Sequence, residues 1–169
     1  MDDDYLRIYL NDQLALGVAW RELARRAEGG NAGGELGAAL SRVAQGIAED
    51  VDTFRAIMDR LGVRPNPLKQ GVALAAERLG RLKPNGRLTG YSPLSRFVEL
   101  EFLAMGIDGK KQLWTTLRDI AGLGARLPDV DFAALIDRAA RQRAELEPFR
   151  VRAGAEAFAT ALPGPRPAE

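Results

Sequence analysis

Over most of its length this chain places apolar residues three and four positions apart, and that spacing admits little besides packed helices. From Asp4 to Glu28, residues Leu6, Tyr9, Gln13, Leu16, Trp20, Leu23 and Ala27 fall on one helical stripe. Asp2, Asp3 and Asp4 stand where the helix dipole favours negative charge. Gly29-Gly30-Asn31-Ala32-Gly33-Gly34 ends this helix in a short turn. From Glu35 to Leu61 the spacing returns in Leu36, Leu40, Val43, Ile47, Asp50, Phe54, Ile57 and Leu61. Gly62 is placed as a stop, and Pro65 and Pro67 oppose continuation. The turn is short, so the first two helices are expected to form an antiparallel hairpin.

The second half repeats the plan. Ser92 before Pro93 reads as an N-cap followed by a first-turn proline, opening a third helix from Pro93 to about Gly122. Its first half, with Leu94, Phe97, Val98, Leu100, Phe102, Leu103 and Met105, is apolar nearly all round and predicts burial on several sides. Gly106 and Gly109 weaken its middle. Gly122 to Pro128 makes a second turn, and Asp129 or Asp131 can cap a fourth helix running to about Thr160. The seam of that helix holds Phe132, Leu135, Ala139, Gln142, Leu146, Phe149 and Ala153, with Pro148 expected to kink it.

Residues 63–92 differ. Pro67 to Leu82 can form a short extra helix, and Pro84-Asn85-Gly86 is a turn signal. A connection this long returns the chain along the bundle and leaves the second and third helices parallel. The expected fold class is all-α, a four-helix bundle with a long crossover, in one domain over 1–160 with a disordered tail over 161–169. No strand signal and no internal repeat is present.

Composition narrows the chemistry further. The 169 residues include no Cys and no His. Disulfides, thiolate or imidazole metal ligation, Cys or Ser-His nucleophilic catalysis and histidine pH switching are therefore excluded. No apolar run is long enough to span a membrane, and the acidic start is unlike a signal peptide, so a cytoplasmic protein is expected. Lys and Arg total 24 against 23 Asp and Glu, a net charge of +1 that gives no steering toward nucleic acid. Residues 62–92 are locally basic, with six bases (Arg64, Lys69, Arg78, Arg81, Lys83, Arg87) against Glu77. Their only aromatic is Tyr91, so they offer no stacking platform for bases and read as a solvated face.

Polar residues on the seams are the remaining candidates. Gln13 and Asp50 are equally far from the first turn, at one height on facing helices, where they can hydrogen-bond. Glu101 lies in the most apolar stretch of the third helix, and Gln142 interrupts the seam of the fourth with Glu145 nearby. Buried polar groups require partners, so one connected network is a natural outcome. Such a network fixes helix register, or its carboxylates (Asp50, Glu101, Glu145) grip a hard cation such as magnesium, calcium or manganese. Asn11-Asp12 reads as helix surface. Lys110-Lys111 is either an anion contact or a solvated pair. The glycine-rich turn lacks the Gly-Lys-Ser/Thr ending of a phosphate loop.

Two hairpins joined by a long crossover is the topology of ferritin-like bundles. The chain also resembles ferritin-like proteins of high-GC, actinobacterial-type bacteria. The resemblance covers residues 4–160 and lies in Tyr9-Leu10-Asn11-Asp12, Leu61-Gly62-Val63 and Gly80-Arg81-Leu82-Lys83-Pro84-Asn85-Gly86. It continues in Tyr91-Ser92-Pro93-Leu94-Ser95 and Gly109-Lys110-Lys111-Gln112-Leu113-Trp114. In metal-bearing members of that superfamily the resemblance implies a Glu from helices one and three and Glu-x-x-His from helices two and four. The matching positions here are Gln13, Asp50 with Thr53, Glu101, and Gln142 or Glu145 with Pro148. Both histidines are absent, so no cofactor is expected and the seam reads as the remnant of such a site. The expected function is a non-catalytic structural or protein-interaction module that self-associates. Small residues such as Ala38, Ala39, Gly46, Ala139 and Ala140 permit the close helix approach this needs. The alternatives are a histidine-free carboxylate metal protein or oxidoreductase, and a binder of small apolar ligands with a slot beneath residues 63–92.

Overall fold

The computed structural model describes residues 3–69, 71 and 92–159. The tail expected to be disordered, most of the expected extra helix over 67–82 and the expected turn at Pro84-Asn85-Gly86 lie outside them. Among the described residues the protein is all-α, with no strand. Four long helices are α1 (Asp3–Gly30), α2 (Gly34–Arg60), α3 (Pro93–Thr115) and α5 (Phe132–Ala159). A π-helical turn, Thr116–Ile120, and the short α4 (Leu123–Arg126) join α3 to α5.

The helix ends follow local chemistry. Gly62 adopts φ +69°, which frees Val63 N–H to donate to the Met58 carbonyl at 2.9 Å and close α2 in a Schellman arrangement. Ser92 Oγ accepts from Ser95 N–H at 3.0 Å with Pro93 in the first turn, as the sequence predicts. Of the two candidate caps for α5, Asp131 acts, its Oδ1 accepting from Ala134 N–H at 2.9 Å. Asp129 instead pairs with Arg60 through two contacts of 2.7 Å. The third helix is shorter than its periodicity predicts, because the backbone widens into the π turn, where Ala121 N–H reaches the Thr116 carbonyl. Pro148 lies within α5 and the helix continues through it.

Two apolar clusters run end to end. One joins the start of α1 (Leu10, Leu14) and the end of α2 (Phe54, Ile57, Met58) to the end of α3 (Trp114) and the start of α5 (Phe132, Leu135). The other joins the opposite ends, with Leu23, Leu40, Leu100, Leu103 and Leu146. This membership makes α1–α2 and α3–α5 antiparallel pairs and gives α2 and α3 one direction. The α3–α5 pair packs most extensively, and α1 rests more lightly on α3.

Helix rotation departs from expectation in two places. On α1 the buried face is Leu10, Leu14, Val18 and Leu23, so Leu16 is 48% exposed. The stripe is turned by about one position in its first half. On α3, Phe102 and Met105 are exposed (49% and 59%), because that face meets only the lightly packed α1 side. The seams of α2 and α5 match the sequence reading, except that Leu36, Leu61 and Phe149 are half-buried.

Asn11 is buried, contrary to its surface reading. Its Nδ2 donates to the Arg64 carbonyl at 3.4 Å, and its Oδ1 accepts from Asn66 N–H at 2.6 Å. With the Lys69–Asp12 ion pair at 2.6 Å, these bonds pin the chain leaving α2 onto α1.

Candidate functional site

Midway along the helices α1, α2 and α3 separate around a cavity of about 270 Å³. Leu14, Ile47, Val51, Phe54, Leu103 and Leu113 make it mostly apolar, and Trp20 and Trp114 add indole walls. Glycine makes the room. A Cβ on Gly106 of α3 would stand 2.6 Å from Trp20 Cδ2, so only glycine lets that ring lie against the helix. Leu16 and Met105, both half-exposed, sit on the rim.

Polar groups interrupt the wall where α2, α3 and α5 meet. Asp50 is 2% exposed and Gln142 7%. Between them lies Lys110, its side chain 12% exposed. Lys110 Nζ donates to Asp50 Oδ2 and to Gln142 Oε1. Arg138 Nη2 donates to Asp50 Oδ1, and its Nη1 reaches the exposed Glu49 Oε2 at 3.3 Å. Asp50 and Lys110 line the cavity, and Gln13 lines it across from α2. Gly46 seats the amide of Gln142, since a Cβ there would collide with Nε2.

Burial pushes the Lys110 ammonium below its ordinary range; the Asp50 carboxylate opposes this shift and the Arg138 guanidinium adds to it. Two cations thus share one buried carboxylate. Trp114 is packed between Phe54 and Phe132, at centroid distances of 5.8 and 6.4 Å. Its Nε1 is buried with no hydrogen-bond partner among the described residues.

The sequence candidates divide. Asp50 and Gln142 join one cluster through Lys110. Gln13 faces the same cavity, but no hydrogen bond links it to Asp50 among the described residues. Glu101 and Glu145 go elsewhere. Glu145 pairs with Arg42 at 2.6 Å and Glu101 with Arg150 at 3.5 Å. The three carboxylates are therefore held apart, each paired with different cations, and among the described residues no acidic cluster of metal-site size forms. Thr53 Oγ1 donates to its own helix at Glu49.

Residue type makes Lys110 read as an anion contact or solvated and Arg138 as surface, yet their spacing marks both as seam positions. Lys110 falls on the stripe Leu103, Ile107, Lys110, Trp114, and Arg138 one turn before Gln142. No protein-family model matches the chain, and neither does any curated protein or solved structure.

Proposed function

We propose that this protein is a non-catalytic helical bundle that takes up a small, mostly apolar molecule in the cavity between α1, α2 and α3. The observation that carries this reading is an apolar space with polar groups on its wall, Asp50 and Lys110, the latter held from behind by Gln142. Binding sites are commonly apolar pockets with a few placed polar groups. A cavity of about 150 Å³ takes benzene, so about 270 Å³ suits a bicyclic or short-chain molecule. This slot lies between the helices; most of residues 63–92, beneath which the sequence reading puts one, falls outside the described residues. The test is intrinsic fluorescence, because both tryptophans line the cavity. Titration with 2-methylnaphthalene is expected to quench or shift the emission saturably at one site per chain; an emission unchanged to the solubility limit would refute the reading.

The same reading places the chain among ferritin-like bundles. Two antiparallel hairpins, a common direction for α2 and α3 and a long connection between them support it. The seam cluster then stands where those proteins hold metal, with Lys110 in the place of a cation. Self-association is the second reading. The exposed Phe102 and Met105, with Leu16 and Ile8 of α1, favour it. Light scattering during size exclusion tests it, and a monomer at every concentration would remove it.

A further inference from the structure

The Lys110 amine is more than a wall of the cavity. An ammonium has three N–H donors, and only two acceptors, Asp50 Oδ2 and Gln142 Oε1, meet it among the described residues. A neutral amine has two donors and one lone pair. It fills both contacts and leaves the lone pair over. Charge points the same way. Asp50 is shared with Arg138, whose guanidinium keeps its proton in proteins. Arg138 also reaches Glu49, which is exposed, so Asp50 is the one buried carboxylate facing two cations, and the proton that can leave belongs to Lys110. Desolvation in an apolar pocket is one recognised way to make a lysine nucleophilic.

We propose that Lys110 condenses with the carbonyl carbon of a small apolar aldehyde held in the cavity, forming an imine. This rests on the cavity-binding reading above and names its ligand class. Asp50 Oδ2, already accepting from Nζ, takes the ammonium proton. The neutral nitrogen attacks the carbonyl carbon, a C–N bond forms, and a nitrogen proton passes to the carbonyl oxygen to give the carbinolamine. Asp50 returns its proton to that hydroxyl, which leaves as water. The product is an iminium beside the Asp50 carboxylate. No electrons are exchanged with an outside reagent. Gln142 Oε1 holds the nitrogen in place throughout.

Reductive trapping tests this on the whole chain. The protein is incubated with 2-naphthaldehyde and sodium cyanoborohydride at neutral pH and digested, and the labelled residues are located by mass spectrometry. Each trapped amine gains the aldehyde's mass less one oxygen. The four lysines, Lys69, Lys83, Lys110 and Lys111, are mapped separately from any free α-amino group. The label is expected on Lys110 over its exposed neighbour Lys111, because burial lowers the pKa of the Lys110 amine and each pKa unit lost is worth about tenfold in free amine. Lys110→Arg cannot form an imine, so it is expected to abolish that label. Label spread over the lysines by exposure, or confined to Lys111, overturns the proposal. If 2-methylnaphthalene binds and Lys110 stays unlabelled, imine formation falls and the cavity reading stands. If neither binds, both fall.

Discussion

The α3–α5 pair carries two polar assemblies of similar composition and opposite character. On one side Asp50 meets Lys110 and Arg138 in the core. On the other, Asp108, Arg143, Glu147, Arg150 and Glu101 form a chain of ion pairs along the surface. In the surface chain hydrogen bonds from Arg150 and Arg143 hold the Glu147 carboxyl down at about 2. Water there screens every charge, and each pair adds little to stability. In the core the same residue types are desolvated, so one missing partner leaves a charge without compensation. The difference teaches that burial, rather than the inventory of acids and bases, decides which assembly can do chemistry.

The comparison is broken most directly by removing one carboxylate from each side. Asp50→Ala leaves Lys110 and Arg138 without their buried counter-charge and is expected to cost about 3–5 kcal/mol in urea unfolding. Glu147→Ala is expected to cost about 1 kcal/mol or less, because its partners turn to solvent. Equal losses would erase the distinction.

Space is the next lever. Gly106→Ala brings a methyl against the Trp20 ring and is expected to cost about 1–3 kcal/mol by overpacking. It also narrows the cavity, so 2-methylnaphthalene binding should weaken. Gly109→Ala, with nothing within 4 Å of its Cβ, is expected to stabilise by up to about 1 kcal/mol through helix propensity. A Gly106→Ala protein as stable as the parent would show that Trp20 is loosely held.

Proton linkage separates the assemblies at opposite ends of the pH scale. Glu147 has a folded pKa below its unfolded 4.5, so its contribution is present above 4.5 and is lost as pH falls toward about 2. The stability gap between wild type and Glu147→Gln should close over that acid window. Lys110 is shifted below 10.5, so between its folded value and 10.5 the unfolded chain binds more protons and stability rises with pH. Wild type should therefore gain on Lys110→Met as pH climbs toward 10.5. A gap that stays flat there would mean that Lys110 keeps its proton. Salt gives the smallest contrast. Raising ionic strength to about 1 M should shrink the Glu147 contribution and leave that of Asp50 nearly unchanged.

Much of this was legible in the sequence where local chemistry decides. Gly62, Ser92-Pro93 and Asp131 mark helix ends because the end itself needs a positive φ or a side-chain acceptor. The seams of α2 and α5, with Asp50 and Gln142 on them, were legible because long runs constrain rotation. The rotation of α1 was not, since Leu6, Leu10, Leu14 and Leu16 offer two overlapping stripes and only packing against α2 chooses between them. Asn11 read as surface because its partners, Arg64 and Asn66, lie 53 and 55 residues away. Lys110 was hidden by residue type. A lysine on an apolar stripe looks solvated until a buried acid from another helix is placed beside it. Glu101 and Glu145 sat near seams but found surface arginines, because a shift of one position on a helix moves a side chain by 100°.

The measurement that bears most directly on the cavity is an amide NMR titration with 2-methylnaphthalene. Saturable shifts are predicted at Gly17, Gly106 and Gly109 and at both indole Nε1 signals, while Gly37 and Gly154, away from the cavity, hold still. Shifts scattered over the exposed Tyr5, Ile120 and Phe158, or no saturable change at all, would contradict a built binding site between α1, α2 and α3.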